Sequence, residues 1–498
     1  MDQKKPRRGY NHAMSRAIHA ALVGAACGAL AACGGSGGST SPPPFTATGP
    51  SVQVTETTGN QSMLLSARAP VSFGTGGSAA AQVISVDGSI QYQVLDGLGA
   101  SLTDSSAWVI QNDLDAAQRA ALLQDLFGPS PGIALGVLRQ PMGASDFAVN
   151  GNYSYDDVTP GLADPTLAAF SIAHDEAYII PLLQQALAIN PSLKVFAVPW
   201  SAPGWMKTSG TMNGGGLNTQ YLPQLAQYFL LFLQAYQQDG IDLYAIAMQN
   251  EPLNSTSAYP SASVPASIEA DFIANDLGPT LAGAGFDSVK ILGYDHNWDN
   301  TAYAESLLAS AAAPYLAGTA FHCYAGDVGA QSTVHDAYPD KDIWFTECSG
   351  TVGSDFAGDL VWNAENLLIG ATRNWARSVS LWNLALDQDS GPTNGGCMSC
   401  RGVVTIDTRT NPATVTRNVE YYVLGQLARF AKAGAQRIDS NTFGSSAIED
   451  VAFQNPDASI VLLVLNPTQA TQDFSVAWHN TRFDTSLPAQ SLATYVWP

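Results

Sequence analysis

Eight short apolar runs, at 94–97, 133–138, 193–198, 243–248, 289–293, 319–321, 343–345 and 379–381, recur along this chain with amphipathic stretches between them. Runs of this length, bounded by turn residues, read as strands buried on both faces, and strands that alternate with helices pair in parallel. The helical pattern is clearest over 221–238, where Leu222, Leu225, Phe229, Phe232, Leu233 and Tyr236 fall three and four residues apart on one face. Asp239-Gly240 then ends it, because glycine suits the left-handed position after a helix. Eight such units predict a (β/α)8 barrel over 94–430. An open doubly wound sheet is the alternative, and the lack of a Gly-rich dinucleotide or phosphate loop after the first run counts against it.

Both flanks of that region change character. The runs 52–54, 63–66 and 82–86 on one side, and 459–465, 473–478 and 492–497 on the other, are β-type and separated by Asn, Pro and Asp turns. They predict one β-sandwich side domain built from both chain ends, 51–93 and 431–498. Residues 1–33 read as an export signal, a basic start followed by small apolar residues. Leu30-Ala31-Ala32-Cys33 resembles a bacterial lipobox, in which Cys33 is lipidated and becomes the mature N-terminus; ordinary signal cleavage nearby is the alternative. A Gly/Ser-rich and then Pro-rich linker over 34–50 suits a tether. The expected location is the bacterial cell envelope (periplasm, outer membrane or cell surface) or the medium, with membrane contact only through the lipid anchor. No later segment is long and apolar enough to span a bilayer.

The formal net charge is -21, and without residues 1–33, which hold five basic residues and one acidic, 16 basic and 41 acidic residues leave -25. Such a field repels phosphate backbones, so nucleic acid is not an expected partner, whereas neutral sugars are compatible with it. Beyond Cys33 lie Cys323, Cys348, Cys397 and Cys400. The C-x-x-C at 397–400 sits in a Gly-rich loop and reads as a local staple or as free thiols; with no second cysteine or histidine pair beside it, no metal site is expected.

Two glutamates carry the chemistry. Glu251 follows the fourth run, in Asn250-Glu251-Pro252, and Glu347 follows the seventh, 96 residues later. Barrel enzymes place their reacting groups at the C-terminal ends of strands. Two carboxyl groups facing one cavity can cleave a glycosidic bond, one protonating the leaving oxygen and the other attacking the anomeric carbon. The fourth and seventh strands are not neighbours, so the side chains must reach inward across the mouth. Asn250 offers an amide to a sugar 2-hydroxyl, which favours Glu251 as the acid, with a raised pKa, and Glu347 as the ionised nucleophile.

Several motifs together resemble glycoside hydrolase family 30, in order from about residue 51 to residue 498. They are Asp96-Gly-Leu-Gly-Ala-Ser-Leu-Thr-Asp104, Leu138-Arg-Gln-Pro-Met-Gly-Ala-Ser-Asp-Phe147 and Pro199-Trp-Ser-Ala-Pro-Gly-Trp-Met-Lys207, then Gln249-Asn-Glu-Pro252, Phe321-His-Cys-Tyr324, Thr346-Glu-Cys348 and Leu381-Trp-Asn-Leu-Ala-Leu386. Thr494-Tyr-Val-Trp497 fits the family's side domain. The resemblance implies a retaining mechanism with Glu251 as acid/base and Glu347 as nucleophile, and no cofactor. It implies that Asp104, Trp200, Asn250 and Trp382 hold the terminal sugar, that Tyr324 sits against the nucleophile, and that Arg139 and His322 support the carboxylates. Read without it, Trp200 and Trp382 are core aromatics and His322 a satisfied buried histidine.

The stretches 249–255, 293–300 and 338–343 are more similar to the family's β-1,6-glucanase branch than to its lysosomal glucosylceramidase, and Cys323 stands where the latter has tryptophan. Trp205 and Trp298 are candidates for sugar stacking outside the first subsite. The expected function is hydrolysis of β-1,6-glucan. Glucosylceramide or another β-glucoside is the alternative substrate, and an inactive glucan-binding surface protein the alternative of another class.

Overall fold

The computed structural model describes residues 43–444 and 447–498. The expected export signal, Cys33 and most of the tether therefore lie outside the described residues. A strand already runs over Thr46–Thr58, so the tether expected to reach residue 50 gives way to sheet from Thr46.

Eight parallel strands close into a barrel: β1 (Gly97–Ser101), β2 (Val137–Pro141), β3 (Lys194–Val198), β4 (Leu243–Ala247), β5 (Lys290–Asn297), β6 (Leu316–His322), β7 (Asp342–Glu347) and β8 (Ala376–Asn383). Each pairs with the next and β8 pairs back to β1, which excludes the open sheet. The first strand is displaced from its expected place at 94–97. Val94 ends a strand of the side domain, Gln82–Val94, and the barrel strand is the weakly β-forming Gly-Leu-Gly-Ala-Ser that follows. Glycine is needed there for close approach: a Cβ on Gly99 would stand 1.8 Å from the Val137 carbonyl oxygen. The helix expected at 221–238 forms over Leu222–Gln238, burying the predicted face, and Gly240 takes φ 77° just past its end.

The barrel interior is filled by Val137, Phe196, Val198, Ala245, Leu292, Ala320 and Trp344. Below them Asp96 accepts from Lys194, Arg377, Tyr244 and the Trp344 indole, closing the N-terminal end with a satisfied buried carboxylate. This floor leaves the opposite, C-terminal end for chemistry.

The side domain uses both flanks, as the terminal β-type runs predict. Strand Thr46–Thr58 pairs with Ser491–Trp497, which pairs with Ile460–Asn466, and the circuit continues through six further strands until Val71–Thr75 returns to Thr46–Thr58. Its core holds Phe73, Phe474, Phe483, Tyr495 and Trp497. The Gln426 amide, on barrel helix Val419–Ala428, hydrogen-bonds the hydroxyls of Thr57 and Thr494 at 2.8 and 2.7 Å, and Arg373 pairs with Asp450 at 2.9 Å. No helix among the described residues is long and apolar enough to cross a membrane.

Candidate active site

The chain leaves β4 through Met248, Gln249 and Asn250 and turns sharply at Glu251, which takes the left-handed φ of 46°. Tyr294 and Asp295 on the neighbouring β5 are also left-handed, at 74° and 48°. Backbone of this kind costs on the order of 1–3 kcal/mol for each non-glycine residue and persists where the surroundings enforce it. Here the Glu251 N–H donates to the Asp295 carbonyl at 3.1 Å, and the Asn250 N–H to that of Pro199 at 2.9 Å. The turn brings Glu251 over the barrel axis, where Glu347 arrives at the end of β7.

The two glutamates converge as the sequence predicts. One oxygen of Glu251, one of Glu347 and a ring nitrogen of His322 all lie within 4.8 Å of one another, and both glutamates line one cavity with Trp200, Asn250, Tyr324 and Trp382. Arg139, almost fully buried midway along β2, gives Nη1 to Glu347 Oε2 at 2.6 Å and Nη2 to both Asp295 Oδ2 and Asn250 Oδ1 at 2.7 Å. Tyr324 donates its hydroxyl to Glu347 Oε1 at 2.9 Å. His322 faces Glu251 Oε1 through Nδ1 at 3.1 Å and Asp295 Oδ1 through Nε2 at 3.2 Å. Trp200 and Trp382 stack at 4.8 Å, with the Arg139 guanidinium 4.9 Å over the first.

Asp295 is the hub that sequence reasoning missed. Burial alone would raise its carboxyl, but Arg139, His322 and the Thr346 hydroxyl at 2.6 Å hold it well below the usual range. It lies inside a stretch quoted above only as a mark of the branch, and no spacing rule singles it out.

The electrostatics of the pair differ from expectation. Burial opposes a charge on His322, but the negative charges of Glu347 and Asp295 push its pKa up to about 9. Burial would raise Glu251, but the hydrogen bond and charge of this imidazolium outweigh it and hold that carboxyl below its ordinary value. Burial raises Glu347, opposed by His322 and Arg139 and reinforced by repulsion from Glu251. In the resting cavity the raised carboxyl is therefore Glu347 rather than Glu251, because the spare proton beside Glu251 resides on His322.

The spacing of Glu251, His322 and Glu347 would suit a cation, but its chemistry does not. An imidazolium with both nitrogens turned to carboxylates has no lone pair to give, and Arg139 already neutralises Glu347.

Asp104, expected to hold the terminal sugar, does not line the cavity. Tyr178 and His174 hold its Oδ1, and the Val149 N–H donates to Oδ2 at 2.7 Å. Asp146 stands there instead, with Oδ1 buried and unpartnered, and with burial and the charges of Glu347 and Glu251 raising its carboxyl well above the usual range. Trp298 is buried, its indole donating to Gln331 and its ring packed on Phe345, whereas Trp205 is half-buried, its indole donating to Asp156 and its ring meeting Tyr221 edge-on; neither lines the cavity. Cys397 and Cys400 are bridged, and both line the cavity beside Asp146. Cys323 and Cys348 form a second bridge, a pairing the sequence did not suggest.

The profile of the glycosyl hydrolase family 30 TIM-barrel domain matches residues 95–430, and that of the family's beta sandwich domain matches residues 434–495. An endo-1,6-beta-D-glucanase of Neurospora crassa is 36% identical over 419 residues, covering 81% of this chain and 85% of that protein. The lysosomal acid glucosylceramidase of Mus musculus is 30% identical over 436 residues, covering 82% of each. Among solved structures, an endo-beta1,6-glucanase superposes with a TM-score of 0.83 at 33% identity, covering 90% of this chain and 99% of that one.

Proposed function

This chain belongs to glycoside hydrolase family 30, and from that membership and the cavity's geometry we propose that it hydrolyses β-1,6-linked glucan with retention, Glu347 attacking and Glu251 protonating. The observation that carries this reading is the meeting of the two carboxylates within 4.8 Å at one cavity. Retaining enzymes hold the pair about 5–5.5 Å apart, whereas inverting ones leave room for a water at about 6.5–9.5 Å.

In the first step a Glu347 oxygen bonds to the anomeric carbon, the glycosidic bond breaks, and the leaving oxygen takes a proton from Glu251. That proton comes from His322 Nδ1, one hydrogen bond of 3.1 Å away; its passage to Oε1 leaves a neutral imidazole and an uncharged acid. Water, deprotonated by Glu251, then cleaves the glycosyl ester and restores Glu347. Arg139 holds Asn250 by Oδ1, which leaves Nδ2 to donate to the sugar 2-hydroxyl. Asp146 Oδ1 takes a further hydroxyl, and the Trp200–Trp382 stack flanks the ring.

A second reading, cleavage of glucosylceramide, is favoured by the likeness to the mouse enzyme and by two apolar side chains exposed on the loops that carry cavity residues, Leu253 beyond Glu251 and Met398 between the bridged cysteines. Export and lipid attachment at Cys33 remain proposals from the sequence pattern alone. The test is one product profile. Purified protein is incubated with β-1,6-glucan, β-1,3-glucan and glucosylceramide, and released sugars are quantified. Release from β-1,6-glucan above the other two is expected; equal or greater release from glucosylceramide overturns the substrate assignment, and no release from any overturns the activity.

A further inference from the structure

β6 and β7 keep parallel register as far as Phe321 opposite Phe345; the pairing then slips by one residue, and His322 comes opposite Glu347. Such a slip disrupts the ladder locally, so the relative height of the two strand ends beyond it is less firmly set. The next residue on each strand is a cysteine, and Cys323 and Cys348 are joined, with Cα atoms 5.4 Å apart and both residues buried. Tyr324, directly after Cys323, donates to Glu347, directly before Cys348. The Cys348 carbonyl also accepts the Trp382 N–H at 2.8 Å, so the bridge couples the ends of β6, β7 and β8.

We infer that the Cys323–Cys348 bridge is a positioning crosslink that braces the two strand ends beyond the slip and keeps the Tyr324 hydroxyl on Glu347. The inference rests on the reading of Glu347 as nucleophile. Apart from that hydroxyl contact, Tyr324 is held by its N–H to Asn297 Oδ1 at 3.1 Å and by an edge-on contact with the His322 ring. The other charged groups that face Glu347 are Arg139 from β2, His322 from β6, and Glu251 and Asp146 from the loops after β4 and β2. Of these only His322 adjoins the bridge as Tyr324 does, and its ring is held separately by Asp295 and Glu251.

Four chains test this: unaltered, Cys323→Ala/Cys348→Ala, Tyr324→Phe, and the triple variant, each assayed on an aryl β-glucoside across pH. The cysteine pair is expected to lose roughly 10- to 100-fold in kcat, the scale of an ångström-sized misplacement, with a smaller change in KM. The acidic limb of kcat/KM is expected to move to higher pH, because Glu347 loses a donor to its charged form. Tyr324→Phe is expected to do the same, and the triple variant to be no worse than Tyr324→Phe alone. Additive losses, or a cysteine variant that only melts earlier while kcat and pH profile stay put, overturn the crosslink. Should that variant not fold, the unaltered chain is titrated with a dithiol and alkylated. Loss of kcat in step with labelling of Cys323 and Cys348 supports the inference, and full activity with both labelled overturns it. The rate of the unaltered chain judges the proposed function, whereas the crosslink is judged on ratios to that rate.

Discussion

The Nδ1 atom of His322 stands 3.1 Å from Oε1 of Glu251, the oxygen that must carry the proton to the leaving group. A base-paired reservoir of this kind matters most when the leaving oxygen is poor. Glu251→Ala is therefore expected to slow hydrolysis of glucan about 10²- to 10⁴-fold, the usual worth of a general acid. On an activated aryl glucoside the first step should stay fast and small anions such as azide should rescue the second. Equal losses on both substrates would remove Glu251 from the acid role.

Glu347 has one oxygen on Arg139 and the other on Tyr324, so its attack geometry is fixed before substrate arrives. A slow 2-fluoro β-glucoside should add one sugar to the peptide containing Glu347, seen by mass spectrometry, and Glu347→Gln should abolish the adduct. A label on any other side chain would reassign the nucleophile.

Asp146 presents a buried oxygen with no protein partner. Asp146→Ala should lower kcat/KM by roughly 10- to 100-fold, equivalent to the loss of a hydrogen bond worth about 1–3 kcal/mol. Asp146→Asn, which keeps an acceptor in place, should lose less. If alanine has no effect, the sugar does not touch this residue.

His322 links catalysis to stability. Its folded pKa of about 9 lies above an ordinary value of 6.5, so its contribution is full below pH 6.5 and disappears as pH rises through 9. The gap corresponds to roughly 3 kcal/mol. Melting temperatures of the unaltered chain and of His322→Asn should therefore differ most near pH 6 and converge above pH 9. A difference independent of pH would show that the imidazole is uncharged in the folded protein.

The barrel was legible because its strands are buried on both faces and leave continuous apolar runs, and Glu251 and Glu347 were legible because they follow two of them. Where β signal is weak the reading slipped: β1 is glycine-rich because Gly99 packs against a carbonyl, and that same need removes the side chains that mark a strand. Asp104 and Asp146 both follow strand ends in family-like motifs, and only the packing of Tyr178 and His174 around the first decides which one faces the cavity. Asp295 reaches across the barrel to Arg139, and the Cys323–Cys348 bridge joins neighbouring strands; both contacts are invisible until the barrel closes. The pKa order of the two glutamates turned on His322, a third group whose charge no local pattern reports.

The seating of strand Ser491–Trp497 between Thr46–Thr58 and Ile460–Asn466 has a consequence for biogenesis. As the polypeptide emerges from the ribosome, the earliest sheet segment waits for a neighbour made more than 400 residues later, so the barrel can assemble first and the side domain is sealed last. Premature termination that spares every residue of the cavity would still leave that early segment without its long-edge partner, exposed to proteases and to other unfinished chains.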